Sequence, residues 1–163
     1  IAKECKGECF LVVYADDFIA GFQYPWEAER FYEQLRSRMA KFGLELEENK
    51  SRIVESGRYL ASLKAKRGES TRLGTFDFLG FTFYCGRTTK GNPWIMPKTS
   101  SKKFRQKVKE IKIWLYNNKE QKLGKLMYML NVKLVGHYRY YGISFNSRMI
   151  SNYKQQVLSL IHI

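Results

Sequence analysis

Two apolar runs near the start of the chain are separated by only three residues, and this spacing constrains the fold most. Residues 10–14 and 18–22 are rich in β-branched and aromatic side chains, which favour strands. Only a tight turn fits in the intervening Ala15-Asp16-Asp17, so the sequence predicts an antiparallel β-hairpin. Asp16 and Asp17 are adjacent at this turn, so their carboxylates form a concentrated oxygen-rich site. The strands on either side are too apolar for a solvent-facing surface.

The rest of the first half predicts one helix and further strands. Pro25 suits a first helical turn and Gly43 suits a helix end. Between them the apolar residues recur at spacings of three or four: Ala28, Phe31, Leu35, Met39 and Phe42. Strands are predicted at residues 52–55, 76–84 and 94–96, and a loop at 56–75 with weak strand character near Tyr59 and Leu60.

The second half predicts three helices. Thr99 or Ser100 caps the first helix, whose inward residues are Phe104, Val108, Ile111 and Leu115. The second covers about residues 122–138, with Leu123, Leu126, Met127, Leu130 and Leu134 inward, and the third begins near Asn146 or Ser147. The predicted class is therefore α+β: antiparallel hairpins with one helix over residues 1–97, then an all-α three-helix module over 98–163.

The charge distribution indicates a polyanionic partner. The chain has 29 basic and 15 acidic residues, but residues 1–85 carry 13 of each, so the excess lies in residues 86–163 with 16 basic and two acidic. A basic module beside a neutral one favours nucleic acid as the partner. Three cysteines are too few for a disulfide scaffold, and no apolar run is long enough for a membrane span. We expect a soluble protein without a membrane partner.

The basic residues cluster on the first helix of the second half. Phe104, Val108 and Ile111 occupy one side of it, so the cations share the remaining surface, which suits a phosphate backbone. The candidate RNA-binding cations are Lys98, Lys102, Lys103, Arg105, Lys107 and Lys109. Tyr138, Arg139 and Tyr140 are further candidates. These tyrosines either stack on bases or pack between helices, and neighbouring Tyr141 is the better core candidate.

The paired carboxylates suit a divalent metal. Mg²⁺ binds through one or two carboxylates together with substrate phosphates, and two such ions promote phosphoryl transfer. Asp-Asp is also ordinary turn chemistry. The preceding tyrosine, the apolar strands and the basic module downstream together favour the metal site.

Four segments resemble one family, in the family's order. Tyr14-Ala15-Asp16-Asp17 resembles the Tyr-x-Asp-Asp box of reverse transcriptases, in the form typical of bacterial group II intron proteins. Residues 42–54 resemble the next block of the palm domain, and residues 76–81 resemble the hairpin that supports the primer end. Residues 98–104 and 136–142 are similar to the thumb and maturase region of intron-encoded proteins.

The resemblance implies roles for individual residues. Asp16 would be the principal ligand and Asp17 the weaker ligand of a two-Mg²⁺ site for nucleotidyl transfer. Tyr14 and Ala15 would lie near the incoming nucleotide and primer terminus, with Leu79 and Gly80 supporting the primer. Lys50 would act near the departing pyrophosphate, or it is simply an exposed lysine. The implied partners are an RNA template, a DNA primer and deoxynucleoside triphosphates, in a cytoplasmic bacterial ribonucleoprotein.

The resemblance also implies parts that this sequence does not contain. Family members use a further metal-binding Asp and a fingers region, and neither precedes Ile1. We therefore expect the C-terminal part of a reverse transcriptase, inactive as a polymerase by itself and with an incomplete metal site. Two alternatives stay open: a maturase-like module that binds intron RNA without polymerising, and a defence- or CRISPR-associated reverse transcriptase. The oligomeric state is undetermined by the sequence.

Overall fold

The computed structural model describes residues 5–47, 51–69 and 73–161 and confirms the predicted α+β class. In chain order the elements are β1 (Cys9–Tyr14), β2 (Asp17–Phe22), α1 (Pro25–Ala40), α2 (Arg58–Lys66), β3 (Phe76–Phe78), β4 (Phe81–Arg87), β5 (Pro93–Thr99), α3 (Ser101–Asn117), α4 (Leu123–Tyr141) and α5 (Ser147–Ile161). Among the described residues, no helix has the length and apolar character needed to cross a bilayer.

The chain divides into two compact units, residues 1–54 and residues 55–163. The first contains β1, β2 and α1, and the second contains the remaining elements. The predicted boundary between residues 97 and 98 stays a prediction.

The first unit confirms the predicted hairpin and helix. β1 and β2 pair antiparallel, with Tyr14 opposite Asp17 across a two-residue turn. Pro25 occupies the start of α1, where its missing N–H costs nothing. Gly43 has φ +68° beyond its end, and the N–H groups of Gly43 and Leu44 donate to the carbonyls of Ala40 and Met39. This pair of bonds is a Schellman motif and explains why the helix ends there.

Two predicted features of residues 52–75 are wrong. Residues 52–55 form no strand, because no described strand pairs with them. The predicted loop over residues 56–75 contains helix α2, on which Ala61 is buried. The Leu, Ala and Lys residues of this segment are strong helix formers, and their propensity is the signal that indicates the helix.

The predicted strand over residues 76–84 is two strands. Phe78 pairs with Phe81, and the intervening Leu79 and Gly80 have φ of +49° and +78°. Two successive positive φ angles are what a type I′ hairpin turn requires. β4 then pairs with β5 to complete a three-stranded antiparallel sheet, which confirms the predicted second hairpin.

The three predicted helices of the second half are confirmed and enclose one core. Ser100 caps α3, its hydroxyl accepting from the Lys103 N–H at 3.4 Å. The buried residues of this core are Ile111, Leu130, Tyr153 and Val157. Leu123 and Met127, predicted to point inward, are exposed instead. Apolar residues occur on several sides of α4, so periodicity does not identify its packed side.

A buried amide joins the sheet to the helices. Asn146 is fully buried before α5. Its Nδ2 donates to Thr99 Oγ1 at 2.9 Å and to the Tyr141 carbonyl at 2.8 Å, and its Oδ1 accepts from the Thr99 N–H at 2.8 Å. One side chain therefore links the end of β5, the end of α4 and the start of α5.

His137 on α4 is buried against aromatic rings. Its ring stacks on Tyr153 with centroids 3.7 Å apart and lies 4.7 Å from the Tyr141 ring. Burial lowers the pKa of His137 from 6.5 to about 4, with a smaller contribution from the Lys107 charge. The folded protein therefore holds this imidazole neutral.

We predict that acid weakens the second unit through His137. The unfolded chain binds a proton near pH 6.5 and the folded chain only near pH 4, so the stability that His137 contributes above pH 6.5 is lost as pH falls between these values. At 1.36 kcal/mol per pKa unit, the loss is about 3 kcal/mol. Urea unfolding, followed by tryptophan fluorescence across this range, measures it. His137→Phe should flatten the curve; an unchanged pH dependence in that variant would contradict the assignment.

Candidate metal and nucleic-acid sites

The acidic turn lies at the tip of the β1–β2 hairpin. Ala15 and Asp16 form the two-residue loop, and Asp17 is the first residue of β2. Both aspartates are exposed. Tyr14 and Asp17 face each other across the strand pair, so their side chains lie on the same side of the hairpin.

The chemistry of this turn suits a hard cation in part. Two adjacent, exposed carboxylates supply oxygen ligands of the kind that Mg²⁺ prefers, and the remaining positions would fall to water or substrate phosphates. Over residues 5–47, 51–69 and 73–161, no three or more His, Cys, Asp or Glu side chains come together. Asp16 and Asp17 therefore supply two ligands for a metal, and the described residues do not supply the further ligands of a complete site.

Both faces of the hairpin are apolar and exposed. The exposed strand residues are Phe10, Leu11, Val12, Val13 and Tyr14 on β1 and Phe18 on β2. Successive strand residues point to opposite faces, so this run places apolar side chains on each face. Such a two-stranded ribbon is marginal alone and is typical of a strand pair inside a larger sheet.

The turn at Leu79 and Gly80 is held by the helical part of the same unit. The Tyr140 hydroxyl donates to the Leu79 carbonyl at 2.9 Å, and the Ser100 N–H donates to the Gly80 carbonyl at 3.0 Å. The Tyr140 ring also stacks on Phe81 with centroids 5.9 Å apart. The two predicted primer-supporting residues are thus fixed in position by α4 and by the β5–α3 junction.

The basic residues of α3 fall on two sides of the helix. Exposed Lys102, Arg105, Lys109 and Lys112 recur at helical spacings of three and four on one side, here called the basic flank. Lys103 and Lys107 lie on another side. The Lys107 ammonium contacts Glu110 at 2.8 Å, and this hydrogen bond lowers the Glu110 pKa. The basic flank is therefore the part of α3 better arranged for phosphates.

The remaining predicted RNA-binding residues have different surroundings. Lys98 lies on β5 with its ammonium 5.1 Å from the centre of the Tyr84 ring. Tyr138 packs against the helical core, whereas Arg139 is exposed and Tyr140 is about half exposed. The structure thus gives both tyrosines packing contacts and leaves part of Tyr140 accessible. Lys50, the predicted pyrophosphate lysine, lies outside the described residues.

Sequence reasoning missed the buried polar residues that hold the second unit together. The sequence marks Thr99 and Asn146 only as candidate helix caps, yet they bond each other 47 residues apart. Helix-cap preferences depend on neighbouring residues, whereas the contact between Thr99 and Asn146 joins distant parts of the chain. The sequence therefore does not show that these two residues are partners.

One comparison with known proteins gives a match. The sequence profile of a family described as "Reverse transcriptase (RNA-dependent DNA polymerase)" matches residues 1–83, just over half of the 163-residue chain. The chain belongs to the reverse transcriptase family. Comparisons with curated proteins and with solved structures found no match.

The family match covers only some of the candidate residues. The reverse transcriptase region contains Asp16 and Asp17 with their hairpin, and it reaches into β4, so it also includes Leu79 and Gly80. The candidate RNA-binding residues on β5, α3 and α4 follow it. The family therefore supports a polymerase origin for the acidic turn and is silent on α3, α4 and α5.

We predict that Gly80→Ala destabilises this reverse transcriptase chain. Gly80 has φ +78°, and an added Cβ would lie 3.0 Å from the hydroxyl of Tyr141, which is buried. Gly91→Ala is the matched control, because Gly91 has φ +79° with no atom within 4 Å. Denaturant unfolding should show a loss of about 1 kcal/mol for Gly91→Ala and about 2 kcal/mol for Gly80→Ala. Equal losses would contradict the close contact.

Proposed function

We propose that this chain is the C-terminal part of a group II intron reverse transcriptase: late palm, then a thumb or maturase module. The observation that carries the proposal is the pair of exposed carboxylates at the tip of an apolar hairpin, inside the family match. The basic flank on α3 supports an RNA partner. The proposed setting is a cytoplasmic bacterial ribonucleoprotein.

Asp16 and Asp17 are the proposed metal ligands. Bound Mg²⁺ would neutralise the charge on the attacking and leaving oxygens of nucleotidyl transfer. The hairpin fixes the spacing of the two carboxylates, because the turn contains only two residues between paired Tyr14 and Asp17. A further Asp, supplied from outside this chain, would complete the ligand set, as in the family it resembles.

Substrate positioning is assigned to the residues around the two turns. Tyr14 and Ala15 would contact the incoming nucleotide and primer terminus, and Lys50 would neutralise the departing pyrophosphate. Leu79 and Gly80 would support the primer strand. Their turn suits that role because hydrogen bonds from Tyr140 and Ser100 hold its two carbonyls.

RNA binding without polymerisation is the second candidate function. The basic flank lies on α3, beyond the family match, and thus offers a phosphate-binding surface that needs no polymerase residues. Such a module would act as a maturase on intron RNA. A test of the carboxylates separates this candidate from the polymerase.

We predict that Asp16→Asn abolishes DNA synthesis in a complete polymerase that contains this chain. The change removes one metal-ligand charge and keeps the side-chain size, so primer extension on an RNA template should fall by about a hundredfold or more. RNA affinity, measured by filter binding, should stay unchanged. The 163-residue chain assayed alone should give background extension.

Glu33→Gln is the matched control, since it removes one exposed carboxylate charge from α1, away from both turns in the sequence. That variant should extend primers like the parent. Near-parental synthesis by Asp16→Asn would contradict the metal assignment, and robust synthesis by the isolated chain would contradict the incomplete site.

We predict that the basic flank governs the salt dependence of RNA binding. Replacing Lys102 and Lys109 together with Gln should reduce the slope of log K against log salt by about 1.4 to 1.8, or about 0.7 to 0.9 for each phosphate that is no longer neutralised. The weakening should be similar for unrelated RNA sequences, because phosphate contacts carry no base information. Fluorescence anisotropy across a salt series measures it.

The control removes the same charge elsewhere. Lys122 and Lys125 are exposed around the start of α4 and lie outside the candidate set. Their double Gln variant should retain the parental slope. If both double variants reduce the slope equally, RNA responds to the net charge of the chain and not to the flank.

A further inference from the structure

The second unit contains an open groove that none of the proposed polymerase roles uses. It has a volume of about 760 Å³ and lies between α2, the β4–β5 turn and the segment between α4 and α5. Its volume falls in the range of small-molecule binding sites, roughly 300–1,000 Å³. Its lining comes from three parts of the chain, so it is a product of the tertiary fold.

Three aromatic side chains from different elements line this groove. Tyr59 on α2 is 74% exposed, Trp94 on β5 is 41% exposed, and Phe145 between α4 and α5 is 49% exposed. Single exposed apolar residues are common, but exposed aromatic side chains that gather on one surface are typical of a binding site. Planar rings at a groove wall suit stacking on planar ligands such as nucleobases.

The backbone of Phe145 is strained at this groove. Its φ is +69°, a region that aromatic residues rarely adopt. The next residue, Asn146, is fixed by Thr99 and Tyr141, so the buried amide holds Phe145 in this conformation. Strain of this kind persists where the surroundings impose it, and it clusters at ligand sites.

The charges around the groove favour an anionic ligand. None of the described residues that line it is acidic, and Lys90 and Thr88 contribute polar groups from the β4–β5 turn. An adjoining cavity, which shares Ser62 and Pro93 with the groove, adds Arg87. In the sequence, no acidic residue occurs between positions 77 and 110. A lining with a cation, no acidic residue and several aromatic rings suits a nucleic-acid strand, which carries both phosphates and planar bases, better than a neutral or basic peptide.

We propose that this groove binds a single-stranded segment of nucleic acid, with bases stacked on Tyr59 and Phe145 and a phosphate near Lys90. Bases inside a duplex are already stacked on each other, so the rings select unpaired nucleotides. The ligand class rests on the proposed function, since a reverse transcriptase handles single-stranded template. The groove adds a second binding surface, distinct from the basic flank, that holds unpaired strand by stacking.

Titration of the full chain with a short single-stranded RNA that carries 2-aminopurine tests the proposal. Base stacking quenches this fluorophore, so wild type should show quenching on binding. Tyr59→Leu should weaken affinity by about 5- to 150-fold, the range for removal of one base–aromatic stack, and leave the salt slope unchanged. Lys90→Gln should instead reduce the slope by about 0.7. Phe145→Asn, which removes the other ring and tolerates positive φ, should weaken affinity by a similar factor and also leave the salt slope unchanged.

Tyr128→Leu is the matched control, because Tyr128 on α4 is 71% exposed and does not line the groove. It should bind like wild type, and a duplex RNA should bind all variants equally. Equal affinities of Tyr59→Leu and Tyr128→Leu, with wild type binding, would overturn the groove and leave the basic flank intact. No binding by wild type would overturn both proposals. If Tyr59→Leu weakens binding of a proline-rich peptide and retains full RNA affinity, the occupant is a protein segment and the proposal is wrong.

Discussion

The buried amide of Asn146 is the contact on which the second unit depends. It donates to Thr99 and to the Tyr141 carbonyl and accepts from Thr99, so three of its four hydrogen-bonding positions are used inside the protein. A buried amide group left without its partner would cost about 1–3 kcal/mol, so the loss of any one of these three bonds would destabilise the unit. Thr99 precedes Ser100, whose N–H holds the Gly80 carbonyl. The same amide therefore links the sheet to the helices and, through the neighbouring Ser100, to the turn at Leu79 and Gly80.

This contact explains why the three-stranded sheet and helices α3, α4 and α5 belong to one compact unit. The sheet formed by β3, β4 and β5 has only three strands. It does not cover Phe81, which packs instead against the rings of Tyr140 and Tyr141 from α4. Aromatic pairs prefer certain geometries, and hydrogen bonds require a narrower range of distance and angle, so the two together hold the sheet against α4. The turn at Leu79 and Gly80 thus gains a defined position from α4. The part of the chain that matches the family ends at residue 83, so this turn is held by a helix beyond the match.

The sequence predicted the local features well and the non-local ones poorly. The hairpin at Asp16 and the caps at Gly43 and Ser100 follow from spacing and turn chemistry, which act over a few residues. Helix α2 was missed because it has only nine residues, too few to establish a helical period in the sequence. The turn at Leu79 was missed because an alternating pattern does not show where a strand reverses. Sequence spacing already divides the cations of α3 between two sides, but the contact between Lys107 and Glu110 on one of them is visible only in the structure.

Backbone strain connects the three candidate sites. Within residues 5–47, 51–69 and 73–161, the non-glycine residues with positive φ are Ala15, Leu79 and Phe145. Each costs roughly 1–3 kcal/mol, which Gly or Asn at the same position would reduce. One lies in the acidic turn, one in the turn held by α4, and one at the aromatic groove. Folding alone favours Gly or Asn at such positions, so the strain retained at all three supports the binding roles proposed for them.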